Sequence, residues 1–193
     1  PLIRQGLQDE LLELQRKLSM TIVFVSHDLD EALKLGNNIV IMKDGQIVQH
    51  SKPEDIVLNP ANDYVRAFVA HTNPLNVLRG RSLMRPLAEC ERQGDETCLD
   101  DVGDIWFKLD DRGILKGARR GAEELAFQRW SMGDTIESLQ ASPTLVSADI
   151  GMRDALHIRY QTGQKLVLSD GEVPIGILGD RELYHALLGK AMG

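Results

Sequence analysis

The first pattern along the chain is helical. Leu7, Leu11, Leu12, Leu14 and Leu18 recur within "GLQDELLELQRKLSM" with polar residues between them. That spacing predicts a surface helix with one face on a core. "TIVFVS" (21–26) follows, β-branched and apolar without alternation, the composition of a buried parallel strand. Asp28 is placed to cap the next helix, with Glu31 three residues on completing a capping box. Ala32, Leu33 and Leu35 give that helix its apolar side and Gly36 its stop. "NNIVIMKDGQIVQHS" predicts a hairpin, because two apolar runs flank Asp44-Gly45, a dipeptide suited to a tight primed turn. Ser51 and Glu54 suggest a second capping box with Pro53 in the first turn. A short helix through Ile56 and Leu58 and another over Tyr64–Val69 complete the run. The order helix–strand–helix–hairpin–helix is that of the end of an α/β domain.

Regularity is lost over 71–95, where Pro, Gly and Arg are scattered, so a boundary is expected near His71 with a connecting segment after it. A second unit begins near Asp95. "DIWFKLDDRGILKGARRGAEELAF" predicts a strand with Ile105, Phe107 and Leu109 on one face, a turn at Asp110–Gly113, a second strand and a helix from about Ala122. Residues 143–189 read more fully as strand "TLVSA", helix "GMRDALHIRY", strand "KLVLSD", a turn at Asp170-Gly171, strand "VPIGIL" and helix "DRELYHALL". Both stretches share a strand, an Asp/Gly turn, a strand ending near a glycine (Gly117, Gly176) and an acidic helix, which is the mark of an internal repeat.

Composition narrows the picture modestly. With 193 residues the chain can hold one medium domain or two small ones, and 42% hydrophobic with 26% charged residues is ordinary for a globular protein. A net charge of −7 argues against general nucleic-acid binding. Arg79, Arg81 and Arg85 form a local basic cluster, read as a solvated linker. Cys90 and Cys98 match no common zinc spacing and are expected as reduced thiols of a cytosolic protein. His50, His71, His157 and His185 show no metal-ligand spacing, and no metal site is expected. Asp95, Glu96, Asp100, Asp101 and Asp104 form either a solvated acidic surface or a salt-responsive face, since exposed charges interact over about 8 Å at physiological ionic strength. No apolar run approaches a membrane span. The chain enters on Pro1, not a methionine, straight into an amphipathic pattern, and we expect it to be the tail of a longer protein.

Ser26, His27 and Asp28 are the residue types of a hydrolase triad. Adjacent side chains leave an extended backbone in opposite directions, however, and no G-x-S-x-G elbow is present. Their surroundings fit another arrangement. An apolar strand, Ser-His-Asp, "LDEAL", a further apolar strand, "KDGQIV" and a Pro-Glu helix together resemble the end of an ABC-transporter nucleotide-binding domain, over residues 1–70. In that resemblance His27 matches the switch histidine after the last core strand, and "PLIRQGLQDELLEL" matches the stretch after the D-loop. An imidazole there can contact the γ-phosphate of ATP and stabilise charge during phosphoryl transfer. The sequence departs from the family's full pattern: no G-x-x-x-x-G-K-[ST] loop, Walker B acid pair or LSGGQ-type signature occurs. ATP and Mg²⁺ are therefore expected to bind only in the complete protein, and this chain alone is expected to be inactive.

The second unit resembles a CBS-domain pair (each copy β-α-β-β-α), with "SLMRPL" as lead-in, 96–130 as a degenerate first copy and 143–190 as the second. Such a tail after an ABC ATPase is the habit of quaternary-amine importers, which take up glycine betaine, proline betaine, choline or carnitine, and "VLNPANDYVRAFV" resembles their sequences at the join. The resemblance thus implies an α/β ATPase subunit, peripheral on the cytoplasmic face of the membrane. It would act as a homodimer beneath transmembrane permease subunits, served indirectly by a substrate-binding protein. Nucleotide-binding CBS members often carry G-x-x-[ST]-x-x-D. Here the second copy offers Gly179 and Glu182 and the first Arg119, Arg120 and Glu123, so both hydroxyls are missing. An adenine nucleotide or cyclic dinucleotide at that pair, a plain dimerisation module, and an importer ATPase for another substrate all stay open.

Overall fold

A computed structural model describes residues 2–99 and 103–188; side chains are described over 6–8, 10–99 and 103–184. The chain divides into two compact units, 1–73 and 74–193.

The first unit opens with helix α1 (Leu2–Leu18), then residues 20–26, which form no regular element, and helix α2 (Leu29–Leu35). Strands β1 (Ile39–Lys43) and β2 (Gln46–Ser51) pair as an antiparallel hairpin. Asp44 and Gly45 both adopt positive φ, 51° and 76°, the conformation a type I′ turn requires and glycine tolerates best. Helices α3 (Pro53–Leu58) and α4 (Asp63–Val69) close the unit, and Ile39, Ile41, Ile56, Val57, Val65 and Val69 are buried. Asn62 caps α4, its Oδ1 accepting the Val65 N–H at 3.0 Å. The second capping box expected from Ser51 and Glu54 is not formed. Ser51 stays in β2, and Lys52 stands at the cap without a side-chain bond, Pro53 having no N–H to satisfy at N1.

The larger correction concerns 21–25. The predicted buried parallel strand is absent: Val23 is 88% and Val25 91% exposed, and among the described residues β1 pairs only with β2. A run apolar on both faces forms a strand only between partners that cover both, and no described segment of this unit supplies a parallel ladder to it. An apolar cavity of about 730 Å³ lies beside it, with Leu12, Phe24, Ala32, Ile41 and Phe68 in its wall.

The second unit has two sheets. Short helix α5 (Gly80–Leu83) and strand β3 (Arg85–Pro86) precede an antiparallel meander: β4 (Arg92–Gln93), β5 (Glu96–Cys98), β6 (Ile105–Leu109), β7 (Leu115–Arg120) and β8 (Glu123–Leu125), in sequential order. Strand β9 (Gln128–Arg129) then leads to β10 (Thr144–Ser147), helix α6 (Met152–Thr162), β11 (Leu166–Asp170), β12 (Val173–Leu178) and helix α7 (Asp180–Leu188). These strands form a mixed sheet in the order β3-β12-β11-β10-β9, with β9, β10 and β11 parallel. The β-α-β-β-α order expected over 143–190 is thus formed through Leu188; residues 189 and 190 lie outside those described.

Alternation along the mixed sheet sets the core. Leu145, Val167 and Ile177 share a cluster with Ile105, Phe107 and Ala118 of the meander. Leu166 and Leu168, pointing the other way by strand periodicity, are also fully buried, which is why "KLVLS" shows no hydrophobic alternation.

Two expectations for this unit are corrected. No helix starts at Ala122. Gly121–Ala122 turn the chain, and β8 continues the ladder with Arg120 opposite Glu123 and Ala118 opposite Leu125. Residues 96–130 therefore lack the β-α-β-β-α order of a CBS copy. Residues 74–95, expected as a connecting segment, are built into the unit: Val77, Leu78, Leu87 and Cys90 are buried and β3 pairs with β12.

Candidate functional site

Around His27 the chain turns from the irregular run 20–26 into α2. His27 is exposed, and the residues on both sides of it are tied down. Asp28 caps α2, its Oδ1 accepting the Glu31 N–H at 3.2 Å, as expected. The reciprocal half of the capping box differs. The Asp28 N–H donates to Ser26 Oγ at 3.0 Å, and the Ser26 hydroxyl donates to Glu31 Oε2 at 2.6 Å. From α1, Gln8 Nε2 donates to Glu31 Oε1 at 3.0 Å. Ser26 is engaged by these bonds to Asp28 and Glu31, and no bond joins it to His27; the trio has no triad geometry.

His27 taken alone does not fit ATP. One exposed imidazole can donate to a single phosphate oxygen, whereas ATP with Mg²⁺ needs a cradle of backbone amides, a lysine and oxygen ligands for the metal. Among the described residues no group of three or more His, Cys, Asp or Glu side chains is arranged to hold a metal ion.

The other candidates separate into two places. Arg119, Arg120 and Glu123 sit in the β7–β8 hairpin. Arg119 is paired with Glu96 of β5, Nε to Oε1 at 2.8 Å, and stands 5.9 Å from the Trp106 ring. Arg120 and Glu123 are exposed and face each other across the turn. Gly179 and Glu182 lie at the β12–α7 junction and are buried. Glu182 Oε2 accepts the Gly179 N–H at 2.8 Å, so this acid caps its own helix, and Arg85 Nε lies 3.9 Å from its other oxygen. A Cβ at Gly179 would meet Lys165 Cε at 2.7 Å; the space a hydroxyl residue needs is filled by that lysine.

A cavity of about 360 Å³ with a mixed lining opens instead at the carboxyl ends of β9, β10 and β11, bordered by Arg129, Trp130, Ser147, Asp149, Ile150 and Ser169. Leu178 pairs with Leu166, the first residue of β11, so Gly179 and Glu182 lie at the opposite end of the sheet from this cavity. Sequence reasoning missed it because its lining comes from three strand ends with no motif spacing.

Several of the remaining charges are paired. Asp95 forms an ion pair with Lys108, and Arg81 reaches Asp149 at 3.1 Å and Asp170 at 3.5 Å. Hydrogen bonding to Lys108 and Arg119 holds the Asp95 and Glu96 carboxyls below their ordinary values. Asp104 is exposed, while Asp100 and Asp101 lie outside the described residues. His50 and His71 are exposed, His157 Nε2 lies 3.9 Å from Glu137, and the His185 side chain lies outside those described. Cys90 and Cys98 are buried and unbridged, and burial pushes the Cys90 thiol up. No described helix is long and apolar enough to cross a membrane.

An exposed histidine before a capped helix, followed by a hairpin and a Pro-led helix, is the order that the resemblance to ATP-binding proteins of ABC transporters implies. Comparison with known proteins makes this specific: the chain's homologues are ATP-binding proteins of quaternary-amine ABC transporters, matched over part of its length. It is 54% identical over 138 residues (72% of the chain) to the trimethylamine N-oxide transport system ATP-binding protein TmoW of Pelagibacter ubique, covering 36% of that protein. It is 51% identical over 85 residues (44% of the chain) to the glycine betaine transport ATP-binding protein OpuAA of Bacillus subtilis, covering 20% of that protein. A carnitine transport ATP-binding protein, OpuCA of Listeria monocytogenes, is 30% identical over 185 residues, 86% of the chain and 44% of the relative. The chain thus spans less than half the length of these relatives. No protein-family model matches it.

Proposed function

We propose that the chain is the C-terminal part of an ATP-binding subunit that drives import of amine osmolytes such as glycine betaine, proline betaine or choline. His27 would meet the γ-phosphate of ATP in the complete domain. The observation that carries the reading is the placement of His27, exposed on a loop braced on both sides, in a stretch whose relatives are named as transport ATP-binding proteins. The complete subunit would work as a cytoplasmic homodimer beneath permease subunits, with Mg²⁺ and the phosphate cradle supplied by residues outside this chain. Trimethylamine N-oxide is a second substrate reading, favoured by the 54% identity to a protein named for its transport. The residues preceding Pro1 in the complete protein test the assignment: a phosphate loop and a signature motif are expected there, and neither being found would overturn it.

The second unit is read as a regulatory module with one CBS-type half (143–188) and the meander standing where a first copy would. Calorimetric titration with adenine nucleotides and cyclic dinucleotides tests the regulation. Saturable heat supports a ligand sensor, whereas a flat response with a dimeric mass assigns the unit to dimerisation.

A further inference from the structure

We propose that Glu31 is a positioning residue for His27, fixing through Ser26 the backbone on both sides of the histidine. The inference rests on the role given to His27 above. A histidine that must present one nitrogen to a phosphate oxygen works only if its backbone is held to about 0.5 Å, and an exposed side chain has no packing of its own to do this. Here the holding is done by neighbours. Glu31 Oε2 accepts the Ser26 hydroxyl at 2.6 Å, within the short range of charge-assisted O–H···O⁻ bonds. Ser26 Oγ, fixed in this way, accepts the Asp28 N–H, and Asp28 Oδ1 accepts the Glu31 N–H. The Asp28 N–H to Ser26 Oγ bond closes a turn around the His27 backbone, and the two bonds to Glu31 tie both ends of that turn to α2, leaving the imidazole outside. Gln8 of α1 holds the second oxygen of Glu31, so the carboxylate cannot swing away. In an ordinary capping box the acid bonds the N-cap amide directly and restrains only the residue after the histidine. Here Glu31 reaches one bond further, to Ser26, and the residue before the histidine is restrained too.

Amide exchange of this chain tests the clamp. Hydrogen bonds to charged groups contribute enough that Glu31→Ala should speed exchange at the Asp28 amide by about tenfold or more, leaving the Val65 amide in α4 protected. Glu31→Gln keeps an acceptor for Ser26 and should stay within about threefold of the parent. Because Glu31 acts through Ser26, the Ser26→Ala/Glu31→Ala pair should lose no more than Ser26→Ala alone. In the complete ATP-binding subunit, Glu31→Ala should lower kcat about tenfold with KM for ATP unchanged, and Glu31→Gln should recover most of it. Unchanged Asp28 exchange in Glu31→Ala, or additive losses in the pair, would overturn the proposal. If Glu31→Ala also exposes Val65, the Glu31→Gln variant and Ser26→Ala decide it: Ser26→Ala must speed Asp28 exchange with Val65 protected. Full turnover in His27→Ala would instead refute the role of the histidine while leaving the exchange result standing.

Discussion

At the residue scale, close approach and charge pairing decide more than side-chain type. Gly176 of β12 lies against β3 so tightly that a Cβ would meet Met84 Sδ at 2.6 Å and the Arg85 carbonyl oxygen at 2.9 Å. The backbone contact cannot relax by rotamer change, so Gly176→Ala should destabilise the second unit by about 1–3 kcal/mol. Both tryptophans, Trp106 and Trp130, lie in that unit, so fluorescence-detected urea unfolding isolates it; an unchanged midpoint would contradict the packing described. Glu96 gives a pH prediction. Hydrogen-bonded to Arg119, its carboxyl titrates below its unfolded value, so the pair's contribution is complete above about pH 4.3 and is lost as pH falls through the lowered folded value. Arg119→Gln should flatten the acid fall of the second unit's stability below that pH, and parallel acid curves for the two proteins would count against the pairing. The Ser26–Glu31 bond was not legible in the sequence, because a five-residue separation across a loop matches no helical pairing rule. The Asp28 cap was legible, because its spacing to Glu31 is local.

At the element scale, local chemistry was readable and pairing was not. The Asp44-Gly45 hairpin forms with the expected turn, since two positive φ values belong to the dipeptide itself. The β-α-β-β-α order after 143 also forms, its apolar runs matching strand and helix periods. "TIVFV" failed as a strand because strand formation depends on partners, and its composition says nothing of where they are. "GAEELAF" failed as a helix for the opposite reason. Ala, Glu and Leu favour helix in isolation, yet Leu125 and Phe127 alternate toward the cluster around Phe107, and the ladder to β7 outweighs propensity. Residues 74–95 were misread because Pro, Gly and Arg break the period, although Leu78, Leu87 and Cys90 are core residues.

At the scale of the whole molecule, the chain carries two compact units and less than half the length of its transport relatives. One histidine without a phosphate cradle does not turn over nucleotide, so this chain should show no ATP hydrolysis above blank, and measurable turnover would contradict the account of the site. The candidate ligand residues of the second unit were only half legible. Motif position alone named Arg119, Arg120, Glu123, Gly179 and Glu182, whereas the burial of Gly179 and Glu182 and the pairing of Arg119 are properties of the fold. The central claim is that His27 is the catalytic contribution of this part of the chain to an ABC-type ATPase. The steady-state ATPase rate of the complete subunit with His27→Ala tests it most directly. The account predicts a loss of about a hundredfold or more in kcat with ATP still bound; a rate within about twofold of the parent would contradict it.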